Sequence, residues 1–156
     1  MRAPAGCRVG CAPRVSVERD GASLSLCELV RTGEIHAVAV TPDGGKVAVA
    51  SSDKKQVAVY TITLNISSLY FEYNVTPHVF ANAISLAFSS KGKLLAMGGD
   101  MSKACVWNVY ARSDAPLRVF ERGGPVYGLD FSPSDKWLAL ASGGDHLLTL
   151  VDTHSA

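Results

Sequence analysis

Three similar segments constrain the fold of this chain more than any other feature of its sequence. Each has an alternating apolar stretch, a polar turn, a second stretch rich in small residues, a short turn that carries an aspartate, and a third apolar stretch. The segments are IHAVAVTPDGGKVAVASSDKKQVAVY (35–60), ISLAFSSKGKLLAMGGDMSKACVW (84–107) and VYGLDFSPSDKWLALASGGDHLLTLV (126–151). A repeat period between about 20 and 50 residues indicates an architecture assembled from similar units.

The spacing and the alternation of the segments predict sheets of four strands and no helix of useful length. The first apolar stretches end at Val40, Phe88 and Phe131, which lie 48 and 43 residues apart. These intervals are close to the period of about 40 to 45 residues that a four-stranded propeller blade has. Apolar and polar residues that alternate between turns predict half-buried strands. Fourth strands are expected at 69–75 and 117–121, and two strands of an earlier unit at 14–18 and 23–30.

Several short motifs resemble the WD-repeat family. They are Phe131-Ser132-Pro133, Leu138-Ala139, Ser142-Gly143-Gly144-Asp145 and Val151-Asp152, and Trp107-Asn108 stands where the family has Trp-Asp. The resemblance covers residues 14 to 153 and implies an all-β fold, a partial WD-repeat β-propeller of three four-stranded antiparallel blades. Tyr60-Thr61 and Val17-Glu18 replace the signature dipeptide in two repeats. This departure counts against the buried network of hydrogen bonds that WD-repeat blades contain more than it counts against the fold.

Three blades are too few to close a ring, since closed propellers have about 4 to 8. We therefore expect either a truncated product or a ring that another copy or another chain completes, and we favour truncation. We divide the chain into a disordered tail at residues 1–13, the propeller segment at 14–153 and a short tail at 154–156.

Composition and charge argue against several classes of function. Fifteen basic and fourteen acidic side chains give a formal charge of +1, so no strong field attracts nucleic acid or an anionic membrane. No apolar stretch reaches the about 18 residues that span a bilayer, and no secretory signal pattern is present. A hydrophobic content of 47% with 19% charged residues fits a folded domain. We expect a cytoplasmic protein.

No set of residues predicts a catalytic or cofactor site. Cys7 and Cys11 lie close together but lack the further ligands that zinc requires. No serine has the setting of a nucleophile elbow, and the glycine pairs lack the Lys-Ser/Thr of a phosphate loop. We therefore expect no cofactor, no metal and no enzymatic activity. The four histidines are also not spaced as the ligands of a metal ion would be; they are His36, His78, His146 and His154. A propeller hydrolase with a metal in its central channel is the remote alternative.

Two sets of residues are candidates for structural or binding roles. Asp53, Asp100 and Asp145 recur once per segment, which predicts carboxylates that accept backbone N–H bonds in turns. Loops on a rigid scaffold often carry recognition, and tryptophan is enriched in interface hot spots. An ordinary hydrophilic connection would have a similar composition. The candidate protein-binding residues are Tyr110, Arg112, Asp114 and Trp137, whereas Trp107 is expected in the core.

A closer resemblance bears on the partner. The stretches VAVTPDGGKVAVASSDKKQVAVYTI and LAFSSKGKLLAMGGDMSKACVWNV resemble the C-terminal propeller of the actin-interacting protein 1 family, whose members bind actin filaments and promote their disassembly by cofilin. The resemblance implies a non-catalytic protein-binding module with actin and cofilin as partners, associated with the cytoskeleton. The alternative is a scaffold subunit of another multiprotein complex, such as a ubiquitin ligase or a ribosome-biogenesis complex.

Overall fold

The computed structural model of the chain describes residues 16–19, 22–25, 34–51, 56–62, 67–74, 82–100 and 102–153. All regular structure within these ranges is antiparallel β-sheet. No helix in these ranges is long and apolar enough to cross a membrane. The first sheet is a hairpin of two strands, β1 (Ser16–Arg19) and β2 (Ala22–Ser25).

The three repeated segments form three larger sheets, in which each strand pairs with the next along the chain. Sheet 1 contains β3 (Ile35–Val40), β4 (Lys46–Ser51), β5 (Gln56–Ile62) and β6 (Ser67–Asn74). Sheet 2 contains β7 (Ala83–Phe88), β8 (Leu94–Gly99), β9 (Lys103–Asn108) and β10 (Arg118–Glu121). Sheet 3 contains β11 (Val126–Phe131), β12 (Trp137–Ser142) and β13 (Leu148–Asp152).

These sheets confirm the predicted all-β class and the three repeated units. Sheets 1 and 2 have the four strands that the period predicts, and sheet 3 has three in the described part of the chain. Strand β5 continues to Ile62, two residues beyond the expected end at Tyr60. The tails proposed at 1–13 and 154–156 lie outside the described residues.

Sheet 2 lies between the other two sheets, with β7 in contact with both β3 and β11. The face of sheet 2 toward sheet 1 carries large side chains, among them Leu95, Met97 and Trp107, all fully buried. Sheet 1 packs smaller side chains against these residues. They are Ala37, Ala39, Ala48, Ala50, Val57 and Val59.

The same arrangement repeats between sheets 2 and 3. Sheet 2 presents Ala87, Ala96 and Ala104 toward sheet 3, which packs Phe131, Leu138 and Leu140 against them. Sheets 2 and 3 therefore each turn a large face to the preceding sheet, and sheets 1 and 2 each turn a small face to the following one. Burial of each large side chain contributes about 1.5–3 kcal/mol to folding, and the pairing of large with small residues lets the sheets interdigitate at the density of a protein interior.

Gly98 marks the closest approach of sheets 2 and 3. A Cβ atom at Gly98 would lie 2.7 Å from Cγ1 of Val126 and 3.0 Å from the Val126 carbonyl oxygen. Neither neighbour moves freely, because Val126 is fully buried and its carbonyl belongs to β11. The position therefore requires a residue without a side chain.

We expect Gly98→Ala to lower the free energy of unfolding by about 1–3 kcal/mol, the usual cost of an overpacked core. Urea denaturation followed by circular dichroism measures this change. Gly128→Ala is the matched control, since its Cβ would meet only the Ala141 Cβ atom, at an ordinary 3.7 Å. An equal denaturation midpoint for Gly98→Ala and the unaltered chain would contradict the close approach.

Candidate protein-interaction surface

The four candidate binding residues lie at one end of the sheets, which we call the upper end. In each antiparallel sheet, the turn between the first two strands and the connection after the third strand emerge together. The same backbone hydrogen bond joins them in all three sheets, with an N···O distance of 2.9 Å each time. The bonds run from Ile62 N–H to the Gly45 carbonyl, from Val109 N–H to the Lys93 carbonyl and from Thr153 N–H to the Lys136 carbonyl. Tyr110, Arg112 and Asp114 follow β9 at this end, and Trp137 begins β12 there.

The connection 109–117 is held by a set of hydrogen bonds. The Asn108 side chain accepts a bond from the Tyr110 N–H at 3.0 Å, and the Asn108 carbonyl accepts one from Ala111 at 3.1 Å. The buried Trp107 indole donates its N–H to the Asp114 carbonyl at 2.9 Å. Arg112 adopts a left-handed backbone conformation with φ of 47°. These bonds give the loop that carries Tyr110, Arg112 and Asp114 a defined path over the end of sheet 2.

Both exposed aromatic residues of the upper end have a lysine over the ring. Tyr110 is 55% exposed, and the Lys46 Nζ atom of sheet 1 lies 5.2 Å from its ring centroid. Trp137 is 39% exposed, and the Lys136 Nζ atom lies 5.0 Å from its ring centroid. Such contacts are attractive because the face of an aromatic ring is negative. The first contact also joins the upper ends of sheets 1 and 2.

Asp135 ties the upper end of sheet 3 to that of sheet 2. The residue is buried, and its carboxylate accepts a hydrogen bond from the Ser90 N–H at 2.5 Å. It stands where the other two turns have Gly44 and Gly92, and all three residues have positive φ angles, of 59°, 69° and 64° respectively. The Thr153 hydroxyl donates to the Asp135 carbonyl. An aspartate in a glycine position is the sequence signal for this tie.

The predicted turn aspartates belong to the opposite, lower end. Asp100 accepts bonds from the backbone and side-chain N–H groups of Asn82, at 3.1 and 3.2 Å. Asp145 accepts bonds from the Leu147 N–H at 3.2 Å and from the Gly123 N–H at 3.3 Å. Asn82 and Gly123 each precede the first strand of their sheet, so both carboxylates connect a turn to the start of its own sheet. Asp53 lies outside the described residues.

Two carboxylates and a thiol have shifted pKa values. A hydrogen bond from the Ser142 hydroxyl, supported by the Leu147 and Gly123 N–H groups, holds the pKa of Asp145 below its usual value. A hydrogen bond from the Thr41 hydroxyl, at 2.6 Å, is the main cause of the lowered pKa of Asp43. Burial raises the pKa of the Cys105 thiol to about 12. A thiol that stays protonated is a poor nucleophile and a poor metal ligand.

The described residues contain no group of three or more histidines, cysteines or acidic residues that could hold a metal ion. Cys7, Cys11, His78 and His154 lie outside these residues.

Comparison with known proteins identifies the repeat. Residues 115–152 match the model of the family described as WD domain, G-beta repeat. The match begins ahead of β10 and ends with β13, so one sequence repeat joins the outer strand of sheet 2 to the strands of sheet 3. The chain is also similar to the Target of rapamycin complex subunit LST8 of Bos taurus and of Mus musculus, with 23% identity over 124 residues to each.

A solved structure supports the same fold. The β-propeller domain of Cps50 (Swd1) from Myceliophteria thermophila superposes with a TM-score of 0.66 and 20% sequence identity, over 81% of this chain and 38% of that chain. The fold is a partial β-propeller. Sheets 1, 2 and 3 of this partial propeller are its blades. The match to the LST8 proteins covers 78% of the chain but only 36% of their length, so the chain spans little more than a third of these relatives.

Substitution of Asp135 in the partial propeller tests the tie between blades. We expect Asp135→Ala to lower the free energy of unfolding by about 1–3 kcal/mol, because the left-handed backbone disfavours alanine and the Ser90 N–H loses its acceptor. Asp135→Gly removes the backbone strain and should therefore lower the free energy of unfolding by less than alanine does. Asp135→Asn retains an acceptor and tolerates the conformation, so it should cost least. Urea denaturation of the three variants measures the order, and equal losses for alanine and glycine would contradict the role of the backbone angle.

The lowered pKa of Asp145 predicts an acid-dependent loss of stability. Because folding lowers this pKa, the carboxylate stabilises the fold above its ordinary pKa, about 4, and that stabilisation is lost as the pH falls through the lower, folded value. We expect Ser142→Ala and Asp145→Asn to reduce the drop in urea midpoint between pH 6 and pH 3, in comparison with the unaltered chain. Ser134→Ala is the control, since the Ser134 hydroxyl faces the Ser132 hydroxyl rather than this carboxylate. An unchanged drop in both test variants would contradict the assignment.

Proposed function

We propose that the chain is a non-catalytic protein-interaction module, a scaffold segment of a multiprotein complex in the cytoplasm. The observation that carries the proposal is the upper end, where Tyr110 and Trp137 are exposed beside lysines. Tyrosine and tryptophan are enriched in hot spots of protein interfaces, because their large rings bury much area with few rotatable bonds. The hydrogen-bonded connection 109–117 reduces the entropy lost when a partner binds.

The exposed lysines of the upper end can pair with carboxylates of a partner. Lys91, Lys93 and Lys136 are exposed there. Two of the acidic residues at the same end are engaged within the chain, since Asp135 accepts the Ser90 N–H and Asp43 accepts bonds from the Thr41 hydroxyl and the Gly45 N–H. Complementary charge would speed the encounter and fix its orientation more than it would raise affinity.

The comparisons favour the scaffold over a more specific role. The LST8 proteins are described as subunits of the Target of rapamycin complex. This description supports a complex subunit in general and identifies no partner for the present chain. Enzymatic activity is not part of the proposal.

Actin filament binding with promotion of cofilin-mediated disassembly is the second candidate, on the resemblance of residues 38–62 and 86–109 to the actin-interacting protein 1 family. Co-sedimentation of the purified chain with actin filaments, with and without cofilin, tests it. Pelleting that saturates and that strengthens with cofilin would support this role and a cytoskeletal location. A folded, soluble chain that stays in the supernatant would exclude it and leave the scaffold.

For the scaffold, we expect Tyr110→Ala combined with Trp137→Ala to remove binding partners. Loss of two hot-spot rings costs about 2 kcal/mol or more, which is about 30-fold in Kd. Quantitative mass spectrometry of proteins captured by the tagged chain measures the loss. Tyr127→Ala is the matched control, since Tyr127 is 60% exposed but lies at the lower end, near the start of β11. Equal partner sets for the double variant and the control would contradict a binding role for the upper end.

A further inference from the structure

The contact between Lys46 and Tyr110 crosses from one sheet to the next. Lys46 begins β4 of sheet 1, whereas Tyr110 follows β9 of sheet 2. The Lys46 Nζ atom lies 5.2 Å from the centroid of the Tyr110 ring. The lysine over Trp137 is Lys136, its neighbour in the chain. The environment of the Tyr110 ring therefore depends on how two sheets stack, whereas the contact of Trp137 is local.

The base of the Lys46 side chain is fixed by the turn that precedes β4. The Lys46 N–H donates a hydrogen bond to the Thr41 hydroxyl at 2.9 Å, and the Lys46 carbonyl accepts one from the Thr41 N–H at 2.9 Å. Lys46 also pairs with Thr61 of β5. Because the backbone of Lys46 is held in this way, the torsions of its side chain decide where the ammonium lies.

The Lys46 ammonium also acts on the Asp43 carboxylate of the same turn. The Thr41 hydroxyl and the Gly45 N–H are the main causes of the lowered pKa of Asp43, and the charge of Lys46 lowers it further. The same two hydrogen bonds hold this carboxylate in place. The ammonium therefore has a fixed anion on its own sheet and a ring face on the next sheet, and both attract a cation.

The turns of sheets 1 and 2 lie close together at the upper end. A Cβ atom at Gly92, in the first turn of sheet 2, would lie 3.3 Å from Cγ2 of the buried Thr41 in the first turn of sheet 1. The backbone of Tyr110 is held as well, since its N–H donates to the Asn108 side chain at 3.0 Å. With both supports held, the packing of the two sheets determines where the ammonium meets the ring.

We propose that Lys46 of sheet 1 is a positioning residue of the interaction surface, which holds the Tyr110 ring of sheet 2 in the orientation that a partner protein meets. The inference rests on the proposed function, because it assigns a role within the same surface. A ring that is already oriented loses less side-chain entropy when a partner covers it. Removal of the Lys46 charge therefore weakens binding at Tyr110 without removing any atom of the ring.

Nuclear magnetic resonance of the full chain tests the positioning role without a partner. Protons over the face of an aromatic ring resonate upfield, so we expect an upfield shift of the Lys46 Hε resonances that disappears in Tyr110→Leu. The Hα–Hβ couplings of Tyr110 should indicate one rotamer in the unaltered chain and in Lys46→Arg, and an average over rotamers in Lys46→Gln. Lys136→Gln is the matched control, since its contact is with Trp137, and it should leave the Tyr110 couplings unchanged.

Capture of proteins from a cell lysate by the tagged chain, followed by quantitative mass spectrometry, tests the consequence for binding. We expect Lys46→Gln to lower the retention of those proteins that depend on Tyr110 by about 2- to 5-fold, the equivalent of one exposed cation–π contact. Lys46→Arg keeps a cation over the ring and should retain them. In a chain that carries Tyr110→Ala, the further change Lys46→Gln should have no effect, because no ring is left to orient.

Three outcomes would overturn the proposal. The first is Lys46 Hε resonances at their ordinary positions, or Tyr110 couplings that Lys46→Gln leaves unchanged. The second is full retention of proteins by Lys46→Gln, or a loss that Lys46→Arg does not restore. The third is an equal loss from Lys46→Gln with and without the Tyr110 ring, which would mean that Lys46 contacts the partner directly. Circular dichroism establishes that each variant is folded.

Failure of the proposed function has a different signature. In that case no captured protein would depend on Tyr110 and Trp137, whatever residue stands at position 46. The resonances of Lys46 and the couplings of Tyr110 are measured without a partner, so they would still decide whether Lys46 orients the ring.

Discussion

The packing of a large face on a small face is the contact on which the rest of this structure depends. Leu95, Met97 and Trp107 fill the space left by the alanines of sheet 1, and Phe131 and Leu138 do the same against sheet 2. A single repeat unit cannot bury its hydrophobic faces alone. Each sheet is therefore stable only through its neighbours, and the stack is the unit that holds the surface loops in place.

A hydrogen bond at the upper end aligns sheet 3 on sheet 2, and bonds at the lower end hold each sheet together. Hydrophobic contact is not directional, so burial alone does not fix how one sheet is rotated on the next. At the upper end, the Asp135 carboxylate fixes sheet 3 to the backbone of Ser90 in sheet 2. At the lower end, Asp100 and Asp145 connect each turn to the start of its own sheet. The exposed rings of Tyr110 and Trp137 therefore project from the end at which sheets 2 and 3 are tied together.

Periodicity made the strands, the repeated sheets and the buried position of Trp107 predictable from sequence, since alternation and turn residues are local signals. The hydrogen bond between Asp135 and Ser90 was not predictable, because the partners lie 45 residues apart and the donor is a backbone N–H, which gives no signal in the sequence. The contact of Lys46 with the Tyr110 ring depends in the same way on how two sheets stack. The sequence did place Tyr110, Arg112, Asp114 and Trp137 on turns and connections, but only the antiparallel topology brings them to one end.

The two tryptophans of the chain occupy opposite environments. The Trp107 indole is fully buried in the packing between sheets 1 and 2 and is hydrogen-bonded to the Asp114 carbonyl, whereas the Trp137 indole meets solvent at the upper end. Indole emission shifts to longer wavelength when the ring meets water. The protein therefore contains two indole fluorophores in different environments, one inside the stack and one at its solvent-exposed end, and their emission distinguishes the two sites without any added label.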